Sequence, residues 1–325
     1  MDNADHQPRI GVVIPCLNEE LTVGRVVRDF SAALPEATIY VFDNASTDQT
    51  AEVARKAGAD VIHSPHRGKG NVIRHISNVV EADIYVMVDG DDTYPASAAR
   101  ALVEQFQQNH LDMLVATRLE KHRTGSFRMF HRFGNHVISK VVSMLFSAEI
   151  TDVLSGYRIL SRDLMKLVRL QASGFEVETE LTLQALAKRF KIDETPVEYG
   201  VRPEGSHSKL NTWGDGFMIL KSLFIIFKDY KPLFFFSVIS GVLTLASISA
   251  GIGPVTEYYQ TGIVYQTPRA VLAAGLGILA TISLAVGFIL GTISKYHAEN
   301  IELWKQQIKE IDKLVSTRGD SNADN

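Results

Sequence analysis

Three carboxylates stand close together at the end of a short apolar run: Asp89, Asp91 and Asp92. The run at residues 86–88 is typical of a buried strand, and Tyr94 and Pro95 would end that strand. Carboxylates at the end of a buried strand are costly unless something neutralises their charge. A divalent cation with oxygen ligands, itself bound to a diphosphate, would neutralise them. For an isolated D-x-D pair an acidic surface turn is the alternative interpretation, so the surrounding chain has to be considered.

Strand-like runs alternate with helical patterns between residue 9 and about residue 210. Strands are predicted at 10–15, 39–43, 84–89 and 111–116, and helices at 20–34, 48–57, 70–80 and 96–109. This alternation predicts an α/β domain whose mostly parallel sheet is covered by helices on both faces. In such sheets, ligands bind beyond the carboxyl ends of the strands.

Polar residues follow three of these predicted strands: Asn18 and Glu19 after the first, Asp43 and Asn44 after the second, and Asp89 and Asp91 after the third. Because the carboxyl ends of parallel strands share one edge of a sheet, these side chains are expected to converge on one rim. The convergence predicts a binding site. For Asp43, an Asx turn or a helix N-cap is the alternative role, although Asp48 could cap the following helix instead.

Composition excludes several classes of protein. The 325 residues carry a net charge of −4, so the overall charge does not indicate binding to nucleic acid. The single cysteine, Cys16, has no partner for a disulfide or a cysteine zinc site, and the ten histidines lack H-x-x-x-H spacing. The polar residues 1–9 do not resemble a secretory signal. The run at 67–70 contains G-K but lacks the spacing of a P-loop.

Two long uncharged runs, 232–256 and 270–294, each exceed the roughly 20 residues that cross a bilayer. Core helices of a soluble protein are the alternative. Lysines precede the first run and follow the second, so the positive-inside rule places the large N-terminal domain and both termini in the cytoplasm. The chain is therefore predicted to be an integral membrane protein with an extracytoplasmic loop at 257–269.

The segments that flank these spans also show helical patterns. Residues 211–231 carry one narrow polar stripe, which predicts amphipathic helices in the membrane interface; packing against the catalytic domain is the alternative. In the tail, 295–325, apolar residues alternate steps of three and four and form a short seam that needs a partner surface: Ile301, Trp304, Ile308, Ile311 and Val315. Small residues in the second span could pack against neighbouring spans: Ala273, Gly277, Ala280 and Gly287.

Six motifs occur in a fixed order: VIPCLNEE (13–20), VFDNASTDQT (41–50), RGKGNVIR (67–74), VDGDDTYP (88–95), TDVLSGYR (151–158) and VRPEGSHSKL (201–210). Together they resemble family 2 glycosyltransferases with the GT-A fold, and within them the polyprenyl-phosphate and dolichyl-phosphate glycosyltransferases. The two C-terminal spans resemble those of the bacterial polyprenyl-phosphate glucosyltransferases, which implies a bacterial inner membrane. The resemblance implies a GT-A catalytic domain at 1–210 (Rossmann-like, α/β), followed by interface helices and an α-helical transmembrane hairpin.

The resemblance also implies roles for individual residues. A nucleotide-sugar would be bound by Pro15, Asn18, Glu19, Asp43, Lys69, Asp89, Arg202, Ser208 and Lys209. Asp91 is the first choice as a ligand of the metal, Mg²⁺ or Mn²⁺, and Asp89 would either bind the metal as well or bind sugar hydroxyls. A surface lysine is the alternative for Lys69, and a basic linker is the alternative for the loop that contains Arg202. The family engages the lipid phosphate at the positions of Arg118, Arg128 and Arg132, although a basic face near a bilayer could equally bind anionic lipid.

Asp152 matches the proposed catalytic aspartate of the D-x-x-S-G-x-R motif, and with Asp91 and Arg202 it completes the implied catalytic set. A phosphate monoester acceptor has a second pKa of about 6, so it is already mostly a dianion at neutral pH. Such an acceptor needs little deprotonation. Asp152 could therefore orient the acceptor, or complete a polar network with Arg158, rather than act as a base.

The implied function is a metal-dependent, inverting transferase at the cytoplasmic face of the membrane. It would move a sugar, with UDP-glucose the preferred donor, onto polyprenyl phosphate, and the family resemblance points to a homotetramer. GDP-mannose and aminosugar donors remain open alternatives. A processive polysaccharide synthase is disfavoured because Q-x-x-R-W is absent. A non-catalytic membrane scaffold is a distant alternative, which would show no metal-dependent binding of UDP or GDP.

Overall fold

The computed structural model describes residues 7–119, 126–171, 177–200 and 224–323. The chain divides into two compact units, Met1–Ile219 and Leu220–Asn325. The strands of the first unit are β1 (Ile10–Cys16), β2 (Thr38–Asp43), β3 (Asp60–His63), β4 (Ile84–Met87), β5 (Met113–Leu119), β6 (Arg158–Ser161) and β7 (Ile192–Glu198). Its helices are α1 (Val23–Ala33), α2 (Thr50–Lys56), α3 (Lys69–Val79), α4 (Ala99–Gln108), α5 (Ser126–Phe146), α6 (Arg162–Leu167) and α7 (Val177–Ala187).

The seven strands form one sheet in the order β3-β2-β1-β4-β6-β5-β7. Every pairing is parallel except the two made by β6, which runs antiparallel to both β4 and β5. The predicted mostly parallel α/β sheet is thus confirmed. The short edge strand β3 and the strands β6 and β7 were not predicted from the sequence.

The reversed strand β6 explains how a distant motif reaches the rim. Arg158, the first residue of β6, lies opposite Met87, the last residue of β4. The segment just before Arg158 therefore stands at the carboxyl end of β4, where the acidic residues follow. Strand β7 is parallel to β5, so its carboxyl end lies on the same side of the sheet.

Apolar side chains on both faces of the sheet pack against helices. In β1, Val12 and Ile14 belong to one buried cluster and Val13 to the other, as the two-residue period of a strand requires. Helix α1 contributes Val26 and Phe30 to the first cluster, at the spacing of one helical face. Each large apolar side chain buried in this way contributes about 1.5–3 kcal/mol. The two clusters hold the strand ends rigidly in place.

The second unit contains a turn of π-helix (Ile226–Tyr230) and two long helices, α8 (Pro232–Thr261) and α9 (Thr267–Ala323). Both helices are long and apolar enough to cross a membrane, by length and composition. They extend beyond the predicted spans, and only residues 262–266 separate them. The predicted tail continues α9 without a break. Of the predicted interface segment 211–231, residues 211–223 lie outside the described part of the chain.

The small residues of α9 pack within the hairpin, against α8. The Ser240 hydroxyl donates to the carbonyl of Ala280 at 2.9 Å, and the Ser247 hydroxyl donates to that of Ala273 at 2.7 Å. A Cβ added to Gly287 would lie 2.9 Å from Cβ of Phe236. The small-residue face of α9, which was predicted to pack against neighbouring spans, therefore packs against α8 of the same chain. Large apolar side chains elsewhere on the two helices are exposed.

Candidate active site

Asp43 ends strand β2 at the rim. Its side chain is only 9% exposed, and its Oδ2 lies 3.5 Å from Nδ1 of His63, its neighbour at the end of β3. Its Oδ1 accepts a 3.3 Å hydrogen bond from the backbone N–H of Ser46. At the start of α2, the N–H of Thr50 is bonded by Asp48 instead, at 3.0 Å. Asp48 therefore bonds the first residue of α2, whose N-cap residue is Gln49, and Asp43 keeps acceptor capacity at the rim.

The segment after β1 is tied to the segment after β2. Asn18 has a left-handed φ of 53°, which asparagine tolerates better than most residues. Its side-chain oxygen accepts from the N–H of Thr47 at 2.8 Å, and its own N–H donates to the Ser46 hydroxyl at 3.0 Å. The N–H of Glu19 donates to a threonine hydroxyl at the start of α2, and Pro15 lies within β1. The structure thus brings Pro15, Asn18 and Glu19 to the same rim as Asp43.

Asn44 fixes the loop that leads to α3. It is buried, and its amide donates to the carbonyls of Ser64 at 3.1 Å and His66 at 2.7 Å. Its side-chain oxygen accepts from the N–H of Gly68 at 2.7 Å. Gly68 has a φ of 115°, which glycine adopts without steric cost. These bonds determine where α3 begins, with Lys69 as its first residue.

The Lys69 side chain lies between two carboxylates. Its ammonium forms a short ion pair with Oδ1 of Asp89 and a second, at 2.5 Å, with Oε1 of Glu178 in α7. The Lys69 side chain is 11% exposed and that of Glu178 is 5% exposed. Burial alone would lower the pKa of Lys69, but the charges and hydrogen bonds of Asp89 and Glu178 raise it above its ordinary value. Lys69 is therefore a permanently charged part of the site.

Asp89 packs closely against the glycine of the TDVLSGYR motif. A Cβ at Gly156 would lie 2.1 Å from Oδ2 of Asp89, so any other residue there would force the carboxylate to move. The N–H of Gly156 donates to the Tyr94 hydroxyl at 2.9 Å. Burial raises the pKa of Tyr94, so its hydroxyl stays protonated. These contacts explain why the two motifs carry a glycine and a tyrosine.

The other two carboxylates of the acidic motif have different partners. Asp91 is 2% exposed, and its Oδ1 accepts from the backbone N–H of Thr93 at 3.2 Å and from the Thr93 hydroxyl at 2.6 Å. Asp92 has a left-handed φ of 58° and pairs with Arg25 at 3.2 Å. Asp89 and Asp91 are thus built into the rim, whereas Asp92 pairs with a cation on α1.

The acidic motif fits a divalent cation that takes few ligands from the protein. Carboxylate oxygens are the hard donors that Mg²⁺ and Mn²⁺ prefer. The Lys69 ammonium beside Asp89 shows that this position already stabilises a positive charge. Within the described ranges, no group of three or more His, Cys, Asp or Glu side chains is placed to hold a metal. A cation here would therefore use Asp91 and Asp89, with phosphate oxygens and water completing its shell.

Asp152 and Arg118, which the sequence assigned to different roles, form one ion pair. The guanidinium of Arg118 donates from Nε to Oδ2 and from Nη2 to Oδ1 of Asp152, both at 2.8 Å. The amide of Asn135 on α5 adds a 3.0 Å bond to Oδ1. Burial would raise the pKa of Asp152, but the bonds and charge of Arg118 outweigh it and hold that pKa below its ordinary range. Asp152 is therefore a weak base in this structure.

Arg158 belongs to a different network from the one proposed for it with Asp152. It is fully buried and donates to the carbonyls of Val153 at 2.8 Å and Ser155 at 2.9 Å, and to the hydroxyl of Thr182 at 2.9 Å. Its contacts fix the backbone of the segment that carries Asp152, rather than the Asp152 carboxylate.

Aromatic rings support the arginine side of the site. The ring of Tyr94 lies 5.5 Å from that of Tyr157 and 5.1 Å from that of Tyr199. The guanidinium carbon of Arg118 stands 5.7 Å from the centroid of the Tyr199 ring, within range of a cation–π contact. Arg118 is thus oriented by Asp152 from one direction and by a tyrosine from another.

Several predicted residues lie outside this description. Arg128 and Arg132 are four residues apart in α5, and their side chains are not among those described. Arg202, Ser208 and Lys209 fall in residues 201–223, outside the described ranges. Their predicted roles stay predictions.

The sequence did not single out Glu178 or Asn135. Glu178 lies in the run FEVETELTL, where Val177 and Leu181 predict a buried helical face, and Thr182 lies one turn from Glu178 on that face. A glutamate inside such a pattern was the available signal. For Asn135, nothing in the local sequence distinguishes it from other polar residues of a long helix.

Comparison with known proteins identifies the class. The family described as "Glycosyl transferase family 2" matches residues 11–168. The Haloferax volcanii "Glycosyltransferase AglJ" is 29% identical over 93% of this chain and 97% of its own length. A "Dolichyl-phosphate hexose transferase" of the same organism is 27% identical over 66% of this chain and 92% of its own length.

Among solved structures, glucosyl-3-phosphoglycerate synthase from Mycobacterium tuberculosis in complex with Mn²⁺, UDP-glucose and phosphoglyceric acid superposes with a TM-score of 0.55. It is 23% identical and covers 68% of this chain and 79% of its own. The fold is therefore GT-A-like. Residues 11–168 of the chain match glycosyl transferase family 2, and the chain is a glycosyltransferase.

Proposed function

We propose that this glycosyltransferase is anchored in a membrane and moves a hexose from a nucleotide-sugar to polyprenyl phosphate with inversion, UDP-glucose being the first candidate donor. The observation that carries the proposal is the convergence of Asp43, Asp89 and Asp91 at the carboxyl ends of β2 and β4, on either side of β1. Two relatives add support, since one is named for a dolichyl-phosphate acceptor and one was crystallised with UDP-glucose.

On the donor side, Asp43 would accept hydrogen bonds from the nucleoside, with the backbone around Asn18 and Glu19 forming the pocket. Lys69 would contact the diphosphate. Asp91 and Asp89 would hold Mg²⁺ or Mn²⁺, which when bound offsets the negative charge of the departing nucleoside diphosphate. The proposal for these residues rests on the oxygen-rich rim and on the cation that Asp89 already carries.

The loop at 201–210 would close over the donor, with Arg202, Ser208 and Lys209 on the phosphates. Support comes from its starting point. The N–H of Gly200, the last described residue before the loop, donates to the carbonyl of Thr93 at 2.7 Å. Gly200, the residue before this segment, therefore lies beside the acidic motif.

On the acceptor side, Arg118, Arg128 and Arg132 would bind the lipid phosphate. A phosphate oxygen attacks the anomeric carbon, the bond from that carbon to the diphosphate breaks, and the nucleoside diphosphate leaves with the electron pair. Because the acceptor is already mostly dianionic at neutral pH, this step needs no base. Asp152 would orient Arg118 toward the acceptor and remain ionised throughout, as its lowered pKa allows.

The hairpin would span the bilayer and supply access to the lipid. Exposed apolar side chains along both helices, among them Leu245 and Val271, each 69% exposed, support this role. We further propose that the catalytic domain and both termini are cytoplasmic in a bacterial inner membrane, and that the chain assembles as a homotetramer.

The deciding experiment incubates the full-length protein in lipid nanodiscs with polyprenyl phosphate, Mn²⁺ and each of UDP-glucose, GDP-mannose and an aminosugar nucleotide. Mass spectrometry identifies the lipid product, and NMR of the anomeric proton reports inversion. We expect one nucleotide-sugar to give a polyprenyl-phosphate hexose of inverted configuration, and no product after removal of divalent cations. Absence of any lipid-linked sugar with every donor, together with no metal-dependent nucleotide binding, would favour the scaffold interpretation.

A further inference from the structure

Glu178 is a buried carboxylate that none of the proposed steps uses. It lies in the first turn of α7, outside all six motifs, with a side chain 5% exposed. Its Oε1 accepts from the Lys69 ammonium at 2.5 Å. Its Oε2 is buried with no hydrogen-bond partner among the described residues. Lys69 is thus the cation that directly holds Glu178 in this part of the structure.

Stability alone does not account for a glutamate at this position. Its neighbours on the buried face of α7 are apolar or neutral, as Val177, Leu181 and Ala185 illustrate. A buried ion pair often contributes no more stability than apolar residues of the same volume. The unpartnered Oε2 adds a desolvation cost that an apolar side chain would avoid. The charge of Glu178 also stabilises the buried Arg158 cation, but its hydrogen bond goes to Lys69, which links it to the site.

The charge of the cluster indicates the role of Glu178 in the site. Two carboxylates, Asp89 and Glu178, share one ammonium, so the hydrogen-bonded group itself keeps one net negative charge. The buried Arg158 interacts with the charge of Glu178, but its hydrogen bonds go to other groups. Without Glu178, Asp89 would be the only counter-ion of Lys69 in the group, and its charge would be fully compensated. With Glu178 as the permanent counter-ion of Lys69, Asp89 remains able to attract a cation or a donor hydroxyl.

The positions of the two side chains support the same roles, with Glu178 as the counter-ion of Lys69 and Asp89 as the carboxylate available to a ligand. Glu178 is fixed by its helix and lies deep in the fold, whereas the Asp89 side chain is 29% exposed and lies on Gly156 at the rim. A lysine ammonium has three N–H donors, and Asp89 and Glu178 occupy two of them. The third could be donated to a phosphate oxygen while Glu178 keeps the amine in place.

We propose that Glu178 is a positioning residue of the transfer site, which anchors the Lys69 ammonium so that Asp89 and the donor diphosphate can both use it. The inference rests on the proposed binding of a nucleotide-sugar at this rim.

The test compares Glu178→Gln with Glu180→Gln, which makes the same change two residues along α7. Glu180 bonds the backbone N–H of Gln171 and lies outside the proposed site. Two readouts are used: the affinity for UDP with Mn²⁺ by calorimetry, and the donor KM and kcat of transfer. We expect Glu178→Gln to weaken UDP–Mn²⁺ binding and raise the donor KM by roughly 10- to 100-fold, with the acceptor KM unchanged. Glu180→Gln should behave as wild type.

A double-mutant cycle with Lys69→Met separates positioning from general support of the fold. If Glu178 acts through Lys69, adding Glu178→Gln to Lys69→Met costs little further affinity. If Glu178→Gln fails to fold, Lys69→Met with Glu178→Met replaces the whole pair by apolar side chains and is compared with Lys69→Met alone. Equal UDP–Mn²⁺ affinity in Glu178→Gln and wild type, or full additivity in the cycle, would overturn the inference. Wild-type protein that binds no nucleotide would instead contradict the proposed function.

Discussion

Arg118 donates two parallel hydrogen bonds to Asp152, each 2.8 Å long, so the aspartate of the D-x-x-S-G-x-R motif is the counter-ion of an arginine. A bidentate pair of this kind fixes both partners in one orientation. It also gives Asp152 a role, orienting Arg118, that does not involve removing a proton.

Replacing Asp152 by asparagine tests that interpretation. The amide would present an NH₂ group to the guanidinium of Arg118, so one of the two hydrogen bonds between these side chains would be lost. Transfer should then fall by at least about a hundredfold, equivalent to roughly 3 kcal/mol. If Asp152 only orients Arg118, the residual activity should keep the wild-type pH profile between about pH 6 and 9. If the rise of the transfer rate with pH that wild type shows disappeared in the variant, Asp152 would instead be identified as the base.

The same variant has a defined effect on stability. Because the folded-state pKa of Asp152 lies below its unfolded value of about 3.9, the stabilisation is complete above that value and is lost as the pH falls through the folded pKa. We expect Asp152→Asn to lower the free energy of unfolding by about 3 kcal/mol at pH 7, measured in urea. The difference from wild type should stay constant from pH 5 to 8 and shrink in stronger acid.

Asp91 and Asp92 form a matched pair for testing the metal assignment. Asp91→Asn keeps an oxygen for the Thr93 hydroxyl, so the fold should remain intact while metal-dependent turnover drops by at least about a hundredfold. Asp92→Asn is the control, since asparagine tolerates the left-handed φ of 58° found there. Turnover with a titration of Mn²⁺ is the measurement. Near-normal activity of Asp91→Asn at saturating Mn²⁺ would contradict the assignment.

The close contact between Gly156 and Asp89 predicts a strong effect of a single methyl group. Gly156→Ala would place a Cβ 2.1 Å from Oδ2 of Asp89, so the carboxylate must move. We expect binding of UDP with Mn²⁺ to weaken about tenfold or more, as seen when groups that orient a metal ligand are removed. Gly241→Ala is the control, because a Cβ there meets nothing within 4 Å. Unchanged affinity in Gly156→Ala would show that Asp89 can move without consequence.

The strands and helices around Asp43 and Asp89 could be predicted from the sequence. Each has a regular apolar pattern, and a change to polar residues shows where it ends. The strands that precede Asp43 and Asp89 are apolar, and the helix before Leu34 has its apolar residues at helical spacing. Strand β3 could not be predicted, because its four residues, DVIH, are too few and too polar to show a period. Strand β6 is equally short, and its reversed direction depends on pairing with two partners.

The site was predictable in its residue types but not in its pairings. Nothing in the spacing of Arg118 and Asp152 along the chain indicates that they meet, because the contact depends on where β6 enters the sheet. For the same reason, Arg158 was proposed as a partner of Asp152 although its guanidinium bonds backbone carbonyls. Glu178 was missed because a glutamate in the first turn of a helix is usually a solvated residue that suits the helix dipole.

Removing residues 211–325 should separate binding from delivery of the lipid. The division into Met1–Ile219 and Leu220–Asn325 suggests that the first unit can stand alone. We expect it to bind UDP with Mn²⁺ as the full chain does, and to glycosylate a short, water-soluble phosphate acceptor. Transfer to long-chain polyprenyl phosphate in vesicles should fall sharply, because the hairpin supplies proximity. Full activity of the truncated protein on vesicles would show that the hairpin is dispensable.

The tail of α9 is expected to contribute to oligomer formation. The helix runs to Ala323, well beyond the apolar span, and Trp304 on its surface is 62% exposed in the single chain. Ile308→Asp with Ile311→Asp should reduce the mass measured in detergent, whereas Gln306→Asp with Gln307→Asp on the same helix should not. A wild-type monomer would refute the oligomer itself. An unchanged mass in the isoleucine variant would exclude the tail as its contact.

Strand β6 follows β5 in the chain but lies between β4 and β5 in the sheet. Until Arg158–Ser161 is inserted, the ladder β3-β2-β1-β4 and the pair β5-β7 share no strand hydrogen bonds. Non-local pairings form slowly, because the intervening chain must close first. Met113 of β5 pairs with Leu160 in β6 and with Ile192 in β7, so β5–β6 is the more local pairing. We therefore expect β6 to pair with β5 before the two strands join β4. A chain arrested before that step would already hold Asp43 and Asp91 in place but would lack Gly156 beside Asp89, so nucleotide binding should appear during refolding before transfer activity does.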